Sequence, residues 1–228
     1  VHIDGVDWVC TVEPGPGLKD ALSLSAWPSS PLGQLRLRVP GRHNVLNGLA
    51  AVAVGLELGI AMSSIRAAMA EFQGADRRFQ RRGEAAGILV IDDYGHHPTE
   101  IAAVLDAARA ALGRRLLVVF QPHRYTRTAR LIGEFGPALA RADEAIMTDI
   151  YAAGEDPIPG VTIETLAAAV APHLPGRLHV VRTLDEAVAA AVATARTGDA
   201  VITLGAGSIS SASHRILAAL ELAGEGRR

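Results

Sequence analysis

The chain has 228 residues, of which 49% are hydrophobic and 20% are charged, and its formal net charge is −2. This length suits one large domain or two small ones, and the composition is that of a folded soluble protein. The near-neutral charge gives no electrostatic reason to expect nucleic acid binding, and no run of about eighteen apolar residues predicts a membrane span. The single cysteine, Cys10, excludes an internal disulfide, so we expect a cytoplasmic protein.

The first third of the chain predicts a partial α/β segment. "VDWVCTV" has the composition of a strand, and "GQLRLRVPG" alternates as a strand that ends at Pro40. "NVLNGLAAVAVGLELGI" predicts a mostly buried helix that ends near Gly59, and a shorter helix follows over residues 63–71. "FQGADRRFQRRGEAAG" is typical of a junction, so we place a domain boundary near residue 77, which divides the chain into 1–77 and 78–228.

From about residue 79 the pattern becomes regular. "FQRRGE" and "GILVIDDY" predict a hairpin, and strands then alternate with helices to the end of the chain. This order predicts an α/β fold with a mostly parallel sheet and helices on both faces. Helices are predicted over 98–112, 128–141, 163–172, 184–196 and 209–222, and strands at "RLLVVFQ", "EAIMTDIY", "LHVVRT" and "AVITLGAG".

The turns between these elements fall into two chemical classes. The helix-to-strand turns "LGRR", "RADE", "LPGR" and "RTGD" are short and charged, whereas the strand-to-helix turns "DDYGHHP", "QPHRYTRT", "YAAGEDPIP" and "GAGSIS" are longer and rich in histidine, arginine, tyrosine and glycine. Ligands of open parallel sheets bind beyond the carboxyl ends of the strands. The strand-to-helix turns therefore predict a binding site along one edge of the sheet.

The turn "DDYGHHP" leaves three interpretations open. Asp93 ends a strand, where a carboxylate commonly accepts hydrogen bonds from a ribose, and Pro98 suits the first position of a helix whose N–H groups could face an anion. Alternatively, Asp92 and His97 cap the strand and the helix. A metal site is also possible, because Asp92, Asp93, His96 and His97 are all competent ligands.

Two further turns hold candidate binding groups. Arg124 and Arg127, three residues apart at a predicted helix start beside His123, could clamp a carboxylate or phosphate, although surface arginines are common in a chain with 21 of them. "GAGSIS" resembles half of a dinucleotide fingerprint, with Gly205 and Gly207 in place, but a simple tight turn is equally consistent with it.

The segment "GRHNVLN" places His43, Asn44 and Asn47 at a helix start, with both asparagines on one face. Asn44 could act only as an N-cap. Asn47, if buried in this apolar helix, would need a polar partner in the protein or a ligand.

Six segments in order carry a resemblance to a known family: "GRHNVLNGLAA", "FQGADRRFQ", "DDYGHHPTE", "FQPHRYTRT", "YAAGEDPI" and "GAGSIS". Over roughly residues 35–215 the chain resembles the Mur ligases of peptidoglycan synthesis. "DDYGHHPTE" and "FQPHRYTRT" look most like the branch that joins L-alanine to UDP-N-acetylmuramate with ATP, through an acyl phosphate. The resemblance implies the end of a central ATPase domain followed by a complete C-terminal Rossmann-like domain.

The resemblance also implies roles for single residues. Asn47 falls where the family contacts the nucleotide base, Arg78 where an arginine reaches the ATP phosphates, and Asp93 where a carboxylate holds the ribose. The alanine and muramoyl side of the site is matched by Tyr94, His96, His123, Arg124 and Arg127, of which His96, Arg124 and Arg127 are the candidate catalytic residues.

The chain departs from the family pattern in one respect. A Walker-type phosphate loop needs Gly-Lys-Ser/Thr, but the one lysine, Lys19, precedes Asp20. We therefore expect the phosphate loop and most Mg²⁺ ligands in segments upstream of Val1, and we expect this chain alone not to catalyse ligation. Two alternatives stay open: a stand-alone nucleotide- or anion-binding module, and a metal-dependent hydrolase built on "DDYGHH".

Overall fold

The structure is a computed structural model that describes residues 2–4, 7–12 and 32–225. The chain divides into two compact units, Val1–Gly74 and Ala75–Arg228. The assignment of 1–77 and 78–228 to separate ligase domains stays a prediction. Within the described residues, no helix is both long and apolar enough to cross a lipid bilayer.

In the part that the structure describes, the first unit combines a small antiparallel sheet with two helices. The sheet has the order β1-β2-β3, and both of its strand pairs are antiparallel. The elements are β1 (His2–Asp4), β2 (Asp7–Val12), β3 (Gly33–Leu37), α1 (Arg42–Glu57) and α2 (Met62–Glu71).

The core of the first unit lies between β3 and the two helices. Leu35 and Leu37, which alternate on β3, are buried together with Val45 and Val52 of α1 and Ile65 of α2. The predicted strand and both predicted helices are therefore present, because their apolar residues recur at strand and helix spacing.

Asn44 does not cap α1, contrary to one of the readings left open by the sequence. The N-cap is Gly41, and the side-chain amide of Asn44 donates a hydrogen bond of 2.7 Å to the carbonyl of Pro40 from inside the first turn. The helix begins two residues earlier than the apolar pattern indicated, because polar residues of the first turn carry no helical periodicity.

The second unit is a six-stranded sheet covered by helices. Its strands are β4 (Gln80–Ala85), β5 (Ile88–Asp93), β6 (Leu116–Phe120), β7 (Glu144–Met147), β8 (Leu178–Val180) and β9 (Ala200–Leu204). Its helices are α3 (Pro98–Leu112), α4 (Tyr125–Leu139), α5 (Ile163–Val170), α6 (Leu184–Thr194) and α7 (Ser210–Glu225), with a 3₁₀ turn at Ala171–His173.

The strand order is β4-β5-β9-β6-β7-β8, and only the β4–β5 pair is antiparallel. That pair is the predicted hairpin. It turns through Ala86 and Gly87, whose φ angles of +51° and +73° match the type I′ turn that suits the twist of a hairpin. The predicted mostly parallel α/β sheet is confirmed.

Two separate cores confirm that helices cover both faces of the sheet. One contains Leu89 and Ile91 of β5 with residues of α3, α4 and α5, and the other contains Val90 of β5 with residues of α6 and α7. Neighbouring residues of one strand thus point into opposite cores. Strands buried on both faces explain the nearly continuous apolar runs in the sequence.

Two predicted bounds were wrong at the edge of the sheet where the polar turns lie. Helix α4 begins at Tyr125 rather than at residue 128, so Arg124 is its N-cap and not a helical residue. Strand β7 ends at Met147, four residues before the predicted end at Tyr151. Tyr151 itself forms an isolated parallel β-bridge with His123. Both segments are polar, so hydrophobic periodicity could not define their bounds.

Candidate functional site

The carboxyl ends of the central strands lie side by side. Asp93 of β5 pairs with Leu204 of β9, Leu204 with Phe120 of β6, and Phe120 with Met147 of β7. The turns that follow these residues therefore leave the sheet at one edge. This confirms that the turns holding Asp93, Arg124 and Gly205 share a common border.

Asp93 is buried and bonded to the backbone. One carboxylate oxygen accepts a hydrogen bond of 2.7 Å from the N–H of Phe79, and the other accepts one of 2.7 Å from the N–H of Gly95. Burial raises the pKa of Asp93 from 3.8 to about 6, although these two hydrogen bonds and the charge of Arg78 act in the opposite direction. Asp93 thus fixes the start of the "YGHH" turn, and its side chain is only 2% exposed.

Asp92 has a different set of partners. Its Oδ2 accepts hydrogen bonds from Arg77 Nε at 3.2 Å and from Arg82 Nη2 at 2.9 Å, and its Oδ1 accepts one from Thr203 Oγ1 at 2.7 Å. The carboxylate is fully buried, so these partners compensate for its lost hydration. Asp92 therefore does not cap a strand; it ties β4, β5 and β9 together.

Arg77 extends this network to the edge of the sheet. Its Nη2 donates to the carbonyl of Gly205 at 2.5 Å, and its own carbonyl accepts a hydrogen bond of 2.6 Å from the N–H of Tyr94. The guanidinium carbon lies 5.0 Å from the centroid of the Tyr94 ring. Arg77 thus connects the turns after β5 and β9 and supports the Tyr94 ring.

Arg78 contacts the same ring but faces solvent. Its guanidinium carbon lies 5.5 Å from the Tyr94 centroid, the side chain is exposed, and it forms no hydrogen bond or ion pair with any residue that the structure describes. The two neighbouring arginines therefore differ: Arg77 is engaged by the protein, and Arg78 is open to an anionic ligand.

His96 lies next to Tyr94 in the same turn. Its Nδ1 is 3.0 Å from the carbonyl of Tyr94, and its ring meets the Tyr94 ring edge-on at 5.3 Å between centroids. Burial lowers the pKa of His96, and the charges of Arg127 and Arg78 lower it further. The hydrogen bond to the Tyr94 carbonyl and the charge of Glu100, whose Oε2 is 3.6 Å from His96 Nδ1, raise the pKa, but the net shift is downward.

His97 has the structural role proposed in one of the open interpretations. It is the N-cap of α3: its Nδ1 accepts a hydrogen bond of 3.3 Å from Thr99 N, while Glu100 accepts bonds from the N–H groups of His96 and His97. These bonds satisfy N–H groups of the first turn. Pro98 occupies the first helical position, as predicted.

His123 and the two arginines of "HRYTRT" complete the cluster. The His123 ring lies 5.5 Å from the His96 ring, and Arg127 Nη1 is 3.0 Å from His123 Nδ1 and 3.2 Å from its carbonyl. Arg124 follows with an unusual φ of +72° and an exposed side chain. Arg127 therefore contacts His123 directly, whereas Arg124 precedes the helix and acts on His123 only through its charge.

Both positive and negative charges act on these imidazoles, because Glu100 Oε2 lies 3.6 Å from His96 Nδ1 and the charge of Glu155 acts on His123. Burial lowers the pKa of His123 from 6.5 to about 4, with further contributions from His96, Arg127 and Arg124. Arg78, Arg124 and Arg127 therefore act on two neighbouring neutral histidines at one sheet edge. Such a cluster favours anionic ligands, because guanidinium groups bind carboxylate and phosphate oxygens in defined geometry.

The glycines of "GAGSIS" serve close packing between turns. A Cβ on Gly205 would lie 2.8 Å from the carbonyl oxygen of Gln121, and one on Gly207 would lie 2.6 Å from the Tyr151 ring. Gln121 Oε1 accepts a hydrogen bond of 3.1 Å from the N–H of Ile209 at the start of α7. Both glycines are therefore explained by contacts within the protein, which favours the tight-turn interpretation.

The four candidate metal ligands of "DDYGHH" have other partners. Asp92 and Asp93 bind guanidinium, hydroxyl and backbone N–H groups, and His96 and His97 contact local backbone. Across residues 2–4, 7–12 and 32–225, no three His, Cys, Asp or Glu side chains are grouped to hold an ion. The contacts thus do not support the metal-hydrolase interpretation.

Asn47 is the one predicted site residue outside this cluster. It belongs to the first unit, where its side chain is exposed on α1, so it needs no partner within the helix. The second unit holds all the other predicted site residues, which are Arg78, Asp93, Tyr94, His96, His123, Arg124 and Arg127.

A family comparison agrees with this geometry. The sequence profile described as "Mur ligase, glutamate ligase domain" matches residues 77–207, which is more than half of the chain and includes every turn of the cluster. The chain belongs to the Mur ligase family. Its second unit is therefore the part of a Mur ligase that this profile describes.

Individual Mur ligases show the same relationship. The UDP-N-acetylmuramate–L-alanine ligase of Solibacter usitatus is 52% identical over 195 residues, which cover 86% of this chain and 41% of that protein. The crystal structure of the UDP-N-acetylmuramate–alanine ligase of Thermotoga maritima superimposes with a TM-score of 0.70 at 32% identity, covering 83% of this chain and 40% of that one. A murein peptide ligase from Psychrobacter arcticus matches with a TM-score of 0.61 at 26% identity, covering 83% and 39%. The chain thus spans about two fifths of the length of these ligases.

Proposed function

We propose that this chain is part of an ATP-dependent ligase that joins L-alanine to UDP-N-acetylmuramate in peptidoglycan synthesis. In this reaction ATP phosphorylates the muramoyl carboxylate, the alanine amine attacks the acyl phosphate, and ADP and phosphate leave. The observation that carries the proposal is the group of arginines beside the neighbouring rings of His96 and His123 at one sheet edge, where Arg127 contacts His123, in a chain 52% identical to such a ligase.

The anionic groups of the reaction fit this cluster. The carboxylate of alanine and the phosphoryl oxygens of the intermediate each need compensating positive charge, which Arg124 and Arg127 supply beside His123. Tyr94 and His96 line the same edge next to Arg78. Preorganised charge of this kind stabilises a developing anion without rearrangement during the reaction.

The two histidines contribute as neutral groups. Because burial lowers the pKa of both histidines, the neutral imidazole is the favoured form of each. They can therefore exchange hydrogen bonds with the substrates without competing with the arginines for the anion. This division leaves the guanidinium groups as the charged part of the site.

The chain carries only part of an ATP site. Arg78 suits the phosphates because its guanidinium is exposed, and Asn47 has an exposed amide for a base. Both oxygens of Asp93, by contrast, bind backbone N–H groups, so a ribose hydroxyl would share an oxygen that is already bonded. The described residues offer no ligand set for Mg²⁺, and we assign no step to this chain through the ion.

An assay of alanine-dependent ADP formation tests the proposal in the intact protein that contains this chain. We expect ADP release that requires both UDP-N-acetylmuramate and L-alanine. Arg124→Ala should raise the KM for alanine or lower kcat sharply, whereas Arg130→Ala, a neighbouring exposed arginine on α4, should not. Unchanged kinetics in Arg124→Ala would refute the anion clamp.

A binding module without catalysis of its own is the second candidate, because the whole charged cluster lies within one unit. Isothermal titration of this chain with a non-hydrolysable ATP analogue separates the two functions. A ligase site shared with other segments predicts weak binding by the chain alone. Tight stoichiometric binding would favour the module.

A further inference from the structure

Tyr151 is an aromatic residue at the edge of the sheet that the proposed reaction has not used. It follows β7 in the turn "YAAGEDPIP" and its side chain is 39% exposed. Burial in the core therefore does not explain the ring. Its hydroxyl forms no hydrogen bond with a residue among 32–225, so the ring itself is the part that makes contacts.

The ring of Tyr151 stacks on His123. The two centroids are 5.6 Å apart with an interplanar angle of 15°, which is an offset-stacked arrangement. His123 in turn contacts the ring of His96, so Tyr151 is the outer member of a row of rings. One side of the His123 imidazole is consequently covered by Tyr151.

The backbone of Tyr151 holds the preceding turn in place. Its carbonyl accepts a hydrogen bond of 2.8 Å from the N–H of Arg124, and its N–H donates one of 2.8 Å to the carbonyl of Pro122. Arg124 has a φ of +72°, a conformation that residues with a side chain adopt only when the surrounding contacts hold them in it. The bridge to Tyr151 fixes the N–H side of Arg124, while its carbonyl accepts hydrogen bonds from the N–H and hydroxyl of Thr128.

The other neighbour of the ring is the turn after β9. A Cβ on Gly207 would lie 2.6 Å from Cγ and 2.8 Å from Cδ1 of Tyr151. The ring is thus packed between Gly207 and His123. The ring therefore contacts two turns that follow different strands.

From these contacts we infer that Tyr151 is a positioning residue of the ligase site, which fixes the His123 imidazole and the Arg124 guanidinium against the alanine carboxylate. This inference rests on the proposed function. Tyr151 acts through other residues: its ring sets the orientation of His123, and its backbone sets the direction in which Arg124 leaves the chain.

The first experiment needs no substrate. The Hε1 resonance of His123, assigned with His123→Gln, is titrated by NMR in this chain and in Tyr151→Phe and Tyr151→Ala. Removing the ring exposes the imidazole to water, so the pKa of His123 should rise in Tyr151→Ala and stay low in Tyr151→Phe. An unchanged pKa in Tyr151→Ala would overturn the positioning role.

The second experiment measures kinetics in the intact protein. Tyr151→Ala should raise the KM for alanine about 10- to 100-fold, as expected for a misplaced binding group, with an unchanged KM for ATP. Tyr151→Phe should restore the alanine KM. Tyr125→Ala, the same change at the first residue of α4, controls for loss of an aromatic side chain nearby.

The outcomes distinguish the inference from the proposed function. Equal changes in both KM values and kcat, or no change in the alanine KM, would overturn the inference. Absence of alanine-dependent ADP formation in the unaltered protein would instead overturn the proposed function, while the NMR titration would still report whether Tyr151 holds His123.

Discussion

Replacing Asp93 by asparagine should change how the stability of the chain depends on pH. The carboxyl group loses its proton near pH 3.8 when the chain is unfolded and near pH 6 when it is folded. Between these values the folded state binds more protons, so the contribution of Asp93 to stability is full below pH 3.8 and is lost as the pH rises through 6.

The magnitude follows from that difference in pKa. Ionising Asp93 costs about 3 kcal/mol more in the folded chain than in the unfolded chain. Because the unfolded carboxyl group is partly ionised at pH 4, acidification from pH 7 to pH 4 should recover about 2 kcal/mol. The Asp93→Asn variant would have no such dependence on pH, because an amide does not titrate. It would lose one acceptor for the Phe79 or Gly95 N–H, at a pH-independent cost of about 1–3 kcal/mol.

Urea unfolding of both proteins between pH 4 and pH 7 measures this effect. The stability of the unaltered chain minus that of Asp93→Asn should be about 2 kcal/mol greater at pH 4 than at pH 7. The subtraction removes the opposite contribution of His123, whose low pKa favours folding at higher pH. A difference that stays constant with pH, or that grows towards pH 7, would refute the assigned burial of Asp93.

Three further predictions concern other contacts. Asp92→Ala leaves two guanidinium groups without their buried partner and should destabilise the chain by about 3–5 kcal/mol in urea unfolding. The control Asp106→Ala removes an exposed pair with Arg141 and should cost at most about 1 kcal/mol. Equal effects of the two substitutions would contradict the network around Asp92. Gly207→Ala should lower the melting temperature because the added Cβ would clash with the Tyr151 ring. Gly133→Ala, whose Cβ would meet nothing within 4 Å, should not lower it. An unchanged melting temperature in Gly207→Ala would exclude the close contact with Tyr151. Arg78→Ala should raise the KM for ATP in the intact protein and leave the folding stability of the chain unchanged, and a loss of stability would place Arg78 in the fold instead.

Much of the second unit was predictable because its strands are buried on both faces and its two kinds of turn differ in length and composition. Continuous apolar runs such as "ILVI" and "LLVVF" mark strands, and the contrast between the two sets of turns identified the edge that holds Asp93 and Arg124. The family motifs then singled out residues within those turns. Hydrophobic periodicity thus predicted the strands and helices, and the residues of the turns predicted the binding site.

The missed features depend on contacts between distant residues. Arg77 and Arg78 are adjacent in "DRRF", and no local pattern tells which of them is bound by Asp92. The role of Tyr151 depends on its stacking against His123 and its proximity to Gly207, which lie in turns after different strands. The start of α4 was predicted three residues too late, because an arginine gives no indication of the positive φ that Arg124 adopts before the helix.

The most direct test of the central claim is the alanine-dependent release of ADP by the intact protein, measured for the unaltered sequence and for Arg124→Ala with UDP-N-acetylmuramate and L-alanine as substrates. If the arginines around His123 hold the anionic groups of a ligase reaction, ADP release will require both substrates and Arg124→Ala will lose it or need far more alanine. ADP release that is independent of alanine, or equal in the two proteins, would contradict the account.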